Sequence, residues 1–137
     1  MRKIEYLVIH CSATREGVPF HVSDIDRWHR EKGWSGCGYH YVITLDGEIE
    51  KGRPENQVGA HVIGYNKHSI GICYIGGCDE NMKPKDTRTL KQKVALIELL
   101  KNLKKKYPDA LILGHKDFPK VKKECPCFDA LKEYSNL

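Results

Sequence analysis

Residues 4–10, with the sequence IEYLVIH, decide how the chain folds. Large apolar and β-branched side chains dominate this run, which is the composition of a buried β-strand. The strand closes at His10, so it places an imidazole at the end of an element, where a sheet presents functional groups. Neighbouring side chains of an extended strand point to opposite faces, and His10 and Cys11 therefore cannot both face one site. One of them is a candidate ligand and the other belongs to the core.

Strand and helix patterns alternate through the rest of the chain. Further strands are predicted at residues 39–45, 48–51, 69–75 and 111–114. A hairpin turn at Asp46-Gly47 joins the first two of them. This alternation along one chain predicts an α/β fold, a single domain over residues 1–137 with a central mixed β-sheet flanked by helices.

The sequence also predicts three helices. A capping-box pattern, Ser23 with Asp26, begins the first helix, and the last helix is short and lies near residues 128–134. The longest helix is expected over residues 89–106, and its start matches a second capping box. Its buried stripe is predicted to consist of apolar residues three or four apart, namely Leu90, Val94, Ile97, Leu100 and Leu103.

The bulk composition restricts the class of protein. The 137 residues carry 23 Lys and Arg against 18 Asp and Glu, a formal net charge of +5. A mildly basic surface suits nucleic acid, but it equally suits the acidic polymers of a bacterial wall. No apolar run approaches the roughly 18 residues of a membrane span. The N-terminus turns acidic before an apolar signal segment can form, so we expect no secretory signal and a cytoplasmic location on synthesis.

Three side chains suited to a metal site lie at the ends of predicted elements. His10 closes the first strand, His115 follows the last strand, and Cys125 lies on the next loop. Imidazole and thiolate are zinc ligands, and three protein ligands leave a fourth position open for water. The chain has seven His and six Cys, so spacing alone leaves other trios open. No CxxC pair is present, which disfavours a structural zinc knuckle, and most of the cysteines are expected to be reduced core residues.

Seven short motifs occur in an order that is typical of one known family. They are VIHCSAT (8–14), GYHY (38–41), VGAH (58–61), GYN (64–66), SIGI (69–72), GHKDFP (114–119) and CPCFD (125–129). Together they closely resemble the N-acetylmuramoyl-L-alanine amidases of the phage T7 lysozyme type, which share a fold with the peptidoglycan recognition proteins. The resemblance covers nearly the whole chain, from the first predicted strand to the last helix.

The resemblance implies a cofactor and a set of ligands. It implies zinc (Zn2+), held by His10, His115 and Cys125. Cys127 occupies a position that is variable in the family, and it is the rival sulfur ligand because it lies only two residues from Cys125. The catalytic tyrosine of the family, which lies near the water at the metal, corresponds to Tyr39.

The resemblance also implies a catalytic lysine and a substrate contact. The family lysine lies two positions before the ligand cysteine, which gives Lys123. The loop that leads to this cysteine is longer than in the phage enzyme, so counting forward from His115 selects a different lysine, and Lys122 is the fallback. His61 corresponds to a position that lines the substrate groove.

The resemblance therefore implies a zinc-dependent hydrolysis of the amide between N-acetylmuramic acid and L-alanine of peptidoglycan. A non-catalytic peptidoglycan-binding module of the same fold is the alternative, but binding-only relatives have typically lost the cysteine ligand, and Cys125 is present. A nucleic-acid partner has only the net charge in its favour, and we expect none. The expected role is that of a phage or prophage endolysin, monomeric and acting on the wall after release. A wall-recycling enzyme and a secreted effector stay open.

Overall fold

The computed structural model describes residues 2–119 and 121–137. Its strands are β1 (Tyr6–Cys11), β2 (Thr14–Arg15), β3 (Tyr41–Ile43), β4 (Ile49–Lys51), β5 (Ser69–Tyr74), β6 (Gly77–Cys78) and β7 (Leu111–Gly114). Its helices are α1 (Val22–Glu31), α2 (Leu90–Lys106) and α3 (Ala130–Glu133), and short 3-10 turns lie at Asn66–His68 and His115–Asp117. Across the two described ranges, no helix has the length and apolar composition that a membrane crossing needs.

The main sheet has five strands in the order β4-β3-β5-β1-β7. β1 pairs in parallel with β5 on one side and with β7 on the other, while β4 runs antiparallel to β3. Strands inside a parallel sheet are covered on both faces, which explains why β1 is an almost continuous apolar run. β2 and β6 form a separate parallel pair. The predicted α/β fold with a mixed central sheet and flanking helices is confirmed.

β1 divides its side chains between the two faces of the sheet. Ile9 and Cys11 lie in the core that the sheet shares with α2. Val8 packs instead against Val62 on the opposite face. Because side chains alternate along a strand, His10 shares the face of Val8, and Cys11 is the core residue of the His10-Cys11 pair.

The buried stripe predicted for α2 is wrong at its first three positions. Leu90, Val94 and Ile97 are 78%, 49% and 36% exposed, whereas the buried face of α2 consists of Gln92, Ala95, Leu96, Leu99, Leu100 and Leu103. The helix has apolar residues on two adjacent faces, so the 3.6-residue period alone does not choose between them. The buried amide of Gln92 decides the orientation, because its Nε2 donates a hydrogen bond of 2.9 Å to the carbonyl of Ile75.

The capping box predicted for α1 is also wrong. The helix begins at Val22, and Asp24 accepts a hydrogen bond of 2.8 Å from the backbone N–H of His21. Glu50 on β4 fixes this earlier start, because its carboxylate accepts the backbone N–H of Val22 at 2.8 Å at the positive end of the helix. Asp26 accepts a bond from the backbone of Cys37 instead. The capping box predicted at the start of α2 is present and consists of Thr89 and Gln92.

A buried guanidinium ties α3 to the start of α2. The side chain of Arg88 is 1% exposed and forms ion pairs with Asp86 and Glu133. It also donates a hydrogen bond of 2.9 Å to the hydroxyl of Tyr134 and lies 3.4 Å from the ring centroid of Phe128. Arg88 therefore anchors the C-terminal segment of the chain, which follows directly on the loop that contains Cys125.

We expect Arg88→Leu to lower the free energy of unfolding by about 2–4 kcal/mol, because it removes the partner of two carboxylates from a buried network. Arg27→Leu is the matched control, since Arg27 forms an exposed ion pair with Asp24 and its loss should cost less than about 1 kcal/mol. Urea unfolding followed by circular dichroism measures both. Equal effects of the two changes would contradict the anchoring role.

Candidate active site

The carboxyl ends of β1 and β7 bring two histidines together. Ile9 pairs with Gly114 across the two parallel strands, so His10 and His115, the next residue of each chain segment, lie side by side at this end of the sheet. Their ring centroids lie 4.6 Å apart. His10 is almost completely buried, while His115 is partly exposed at the start of a 3-10 turn.

A loop after the 3-10 turn brings a cysteine to the same place. The Sγ of Cys125 accepts a hydrogen bond of 3.2 Å from the backbone N–H of Cys11, at the end of β1. The backbone carbonyl of Cys125 accepts a bond of 2.8 Å from Lys116. The loop is therefore tied to the end of β1 and to the 3-10 turn that begins at His115, and a backbone N–H holds the sulfur.

His10, His115 and Cys125 form a group that can hold a metal ion. One potential ligand atom from each residue lies within 4.8 Å of the others. Zinc binds imidazole nitrogen at about 2.0–2.1 Å and thiolate sulfur at about 2.3 Å, so small adjustments bring all three atoms onto one ion. Burial lowers the pKa of His10 and of His115, which keeps both imidazoles in the neutral form that binds metals.

Cys127 faces away from this group. Its Sγ donates a hydrogen bond of 3.2 Å to the carbonyl of Gly77 and lies 3.9 Å from the Sγ of Cys11. Burial raises the pKa of Cys127 to about 12, which favours the neutral thiol. Its contacts are those of a packed side chain between β1 and β6.

Tyr39 lies beside the buried histidine of the group. The rings of Tyr39 and His10 have centroids 5.0 Å apart. Burial raises the pKa of the Tyr39 phenol well above its ordinary value, so the hydroxyl keeps its proton. The preceding backbone is fixed by Gly38, whose N–H donates a bond of 2.8 Å to His29, and a Cβ at Gly38 would collide with the carbonyl of Ala60.

Lys122 and Lys123 are both exposed on the loop before Cys125. The pKa of His115 is lowered mainly by burial and also by the positive charge of Lys123. The ammonium group of Lys123 is therefore close enough to the site to act on it electrostatically.

His61 is partly buried and touches His10, the most deeply buried ligand candidate. Its Nδ1 is 2.9 Å from Nε2 of His10, and its Nε2 is 3.1 Å from the hydroxyl of Ser69. Burial lowers the pKa of His61 to about 3, so the ring is neutral. The structure thus places its ring against His10 and Ser69.

A family model described as N-acetylmuramoyl-L-alanine amidase matches residues 1–128 of the chain. The chain belongs to this amidase family. The endolysin of Enterobacteria phage K11 is 43% identical to the amidase over 121 residues, which are 88% of this chain and 79% of that protein. The endolysin of Escherichia phage T7 is 42% identical over 123 residues, which are 90% of this chain and 80% of that protein.

Solved structures give the same result for the fold of the amidase. The endolysin N-acetylmuramoyl-L-alanine amidase LysCS of Clostridium intestinale superimposes with a TM-score of 0.81 at 33% identity, covering 99% of this chain and 86% of that chain. Drosophila PGRP-LB superimposes with a TM-score of 0.80 at 28% identity, covering 99% and 82%. The fold of this chain is therefore similar to that of a recognition protein as well as to that of an endolysin, in agreement with the predicted resemblance.

Two contacts of the amidase site were not predicted from the sequence. One is the hydrogen bond from the backbone of Cys11 to the sulfur of Cys125, and the other is the contact between His10 and His61. Neither has a signal in a single sequence, because each joins residues 51 or more positions apart through atoms whose directions depend on the folded backbone.

We expect Cys125→Ser to lose bound zinc and Cys127→Ser to keep it, because only the first sulfur lies with the two histidines. Zinc content per chain after dialysis, measured by atomic emission, distinguishes the variants. Loss of zinc from the Cys127 variant alone would show that the wrong sulfur had been assigned.

Proposed function

We propose that this peptidoglycan amidase works with a zinc ion held by His10, His115 and Cys125. The bond that it cuts is the amide between N-acetylmuramic acid and L-alanine. The observation that carries the zinc assignment is the convergence of two neutral imidazoles and one thiol within 4.8 Å at one edge of the sheet. The side chains of His115 and Cys125 are partly exposed, so an ion bound there would be accessible to a substrate.

Each neighbouring side chain has a task in this reaction. A bound zinc ion lowers the pKa of water from about 16 toward 7 and polarises an amide carbonyl. The positive charge of Lys123, which lowers the pKa of His115, would stabilise the oxyanion that develops as the amide is attacked. Tyr39 keeps its proton, so its hydroxyl donates a hydrogen bond that orients the attacking water or helps a proton reach the leaving amine.

The endolysin relatives favour a role in degradation of the bacterial wall. The endolysins of phages K11 and T7 match about nine-tenths of this chain. We infer that the chain is made in the cytoplasm, works as a monomer and reaches peptidoglycan after release. Enzymes for wall recycling and secreted effectors would use the same chemistry on the same bond.

Purified peptidoglycan tests this function directly. The protein should release new N-terminal alanine, a chelator should abolish the release, and added zinc should restore it. Dansylation of the new amino groups measures the product. If the protein sediments with the wall but releases no alanine at any zinc concentration, it is a binding module instead.

Two adjacent lysines provide a matched pair for the same assay. Lys123→Ala should lower kcat by about 10²–10³-fold, because a positive charge at the developing oxyanion is removed. Lys122→Ala should leave kcat near the wild-type value, and both variants should keep their zinc. The reverse order would move the catalytic role to Lys122.

A further inference from the structure

We propose that His61 is a positioning residue, which holds the ligand histidine His10 in the orientation and tautomer that zinc binding requires. This inference rests on the proposed zinc site. The family resemblance suggested a position in the substrate groove. The contacts of the ring with His10 and Ser69 indicate a supporting role instead.

The ring of His61 joins His10 to Ser69. Nδ1 of His61 lies 2.9 Å from Nε2 of His10, and the two rings are almost perpendicular, at 85°, with centroids 4.9 Å apart. Nε2 of His61 lies 3.1 Å from the hydroxyl of Ser69. Both ring nitrogens are therefore engaged inside the protein.

A metal ion on His10 would determine where the protons of these contacts lie. Because Nε2 of His10 faces His61, the nitrogen that remains for a metal is Nδ1. A neutral imidazole has one N–H, so metal binding through Nδ1 requires that proton to lie on Nε2, which then donates to Nδ1 of His61. His61 would then carry its own proton on Nε2 and donate a hydrogen bond to the hydroxyl of Ser69. A metal-bound histidine generally donates its second ring N–H in this way, and the partner raises the basicity of the ligand.

The surroundings of His61 leave its ring little freedom. An added Cβ on Gly71 would lie 2.8 Å from the ring, and one on Gly59 would lie 2.9 Å from it, so two glycines allow the backbone to approach. The side-chain oxygen of Asn66 accepts the backbone N–H groups of His61 and Val62 at 2.8 and 2.9 Å. The motifs VGAH, GYN and SIGI thus meet around one imidazole, which is the arrangement expected of a support for a ligand.

Zinc affinity tests the role without reference to catalysis. His61→Leu keeps an apolar body but offers no acceptor, so we expect the dissociation constant for zinc to rise by about 10–100-fold. His61→Asn places an amide oxygen near the position of Nδ1, and it should restore most of the affinity. His68→Leu is the control, because His68 is exposed and the hydrogen bond of its ring goes to the carbonyl of Lys3, away from the two histidines.

Competition with a chromophoric chelator measures the affinity, and the visible spectrum of the cobalt-substituted protein reports the ligand geometry. Wild-type zinc affinity in His61→Leu, together with a raised KM for a muramyl peptide, would overturn the inference and return His61 to the substrate groove. Equal losses in the Leu and Asn variants would also overturn it, because the hydrogen bond would then not be the cause. The affinity can be measured even if the wild type cuts no amide, so failure of the proposed function is a separate result.

Discussion

The parallel register between β1 and β7 is the constraint on which the site depends. Ile9 lies opposite Gly114, and the next residue of each segment is a histidine. A shift of the register by one residue would turn His10 into the core and Cys11 toward the site. The register is specified by burial, since Ile9 and Cys11 belong to the core shared with α2. The same hydrophobic contacts that stabilise the sheet therefore place the ligand candidates.

The backbone of β1 also fixes the third ligand candidate. The N–H of Cys11 donates a hydrogen bond to the sulfur of Cys125. The ion pair of Arg88 with Glu133 holds α3, the helix that follows the loop containing Cys125. The ring of His61 contacts His10 through Nδ1 and the hydroxyl of Ser69 through Nε2. The site is thus held by the sheet, the loop and the ring of His61, while the partly exposed side chains of His115 and Cys125 are left to the substrate. Zinc sites depend on such supporting contacts as much as on the ligands.

The sequence predicted the sheet and the motif-bearing residues better than it predicted side-chain directions. β1 was recognisable because a strand buried on both faces is apolar throughout, and the alternation rule correctly separated His10 from Cys11. The buried face of α2 was wrong because Val94 and Ile97 are as apolar as Leu96 and Leu99, and the contact of the Gln92 amide that decides between them is not local. The contact of His61 with His10 was missed for the same reason.

X-ray absorption at the zinc edge tests the central claim most directly, because it counts the atoms bound to the metal in the wild-type protein. The account predicts two imidazole nitrogens at about 2.0–2.1 Å, one sulfur at about 2.3 Å and one light atom from solvent. A first shell with two sulfurs, or with none, would contradict the assignment of His10, His115 and Cys125.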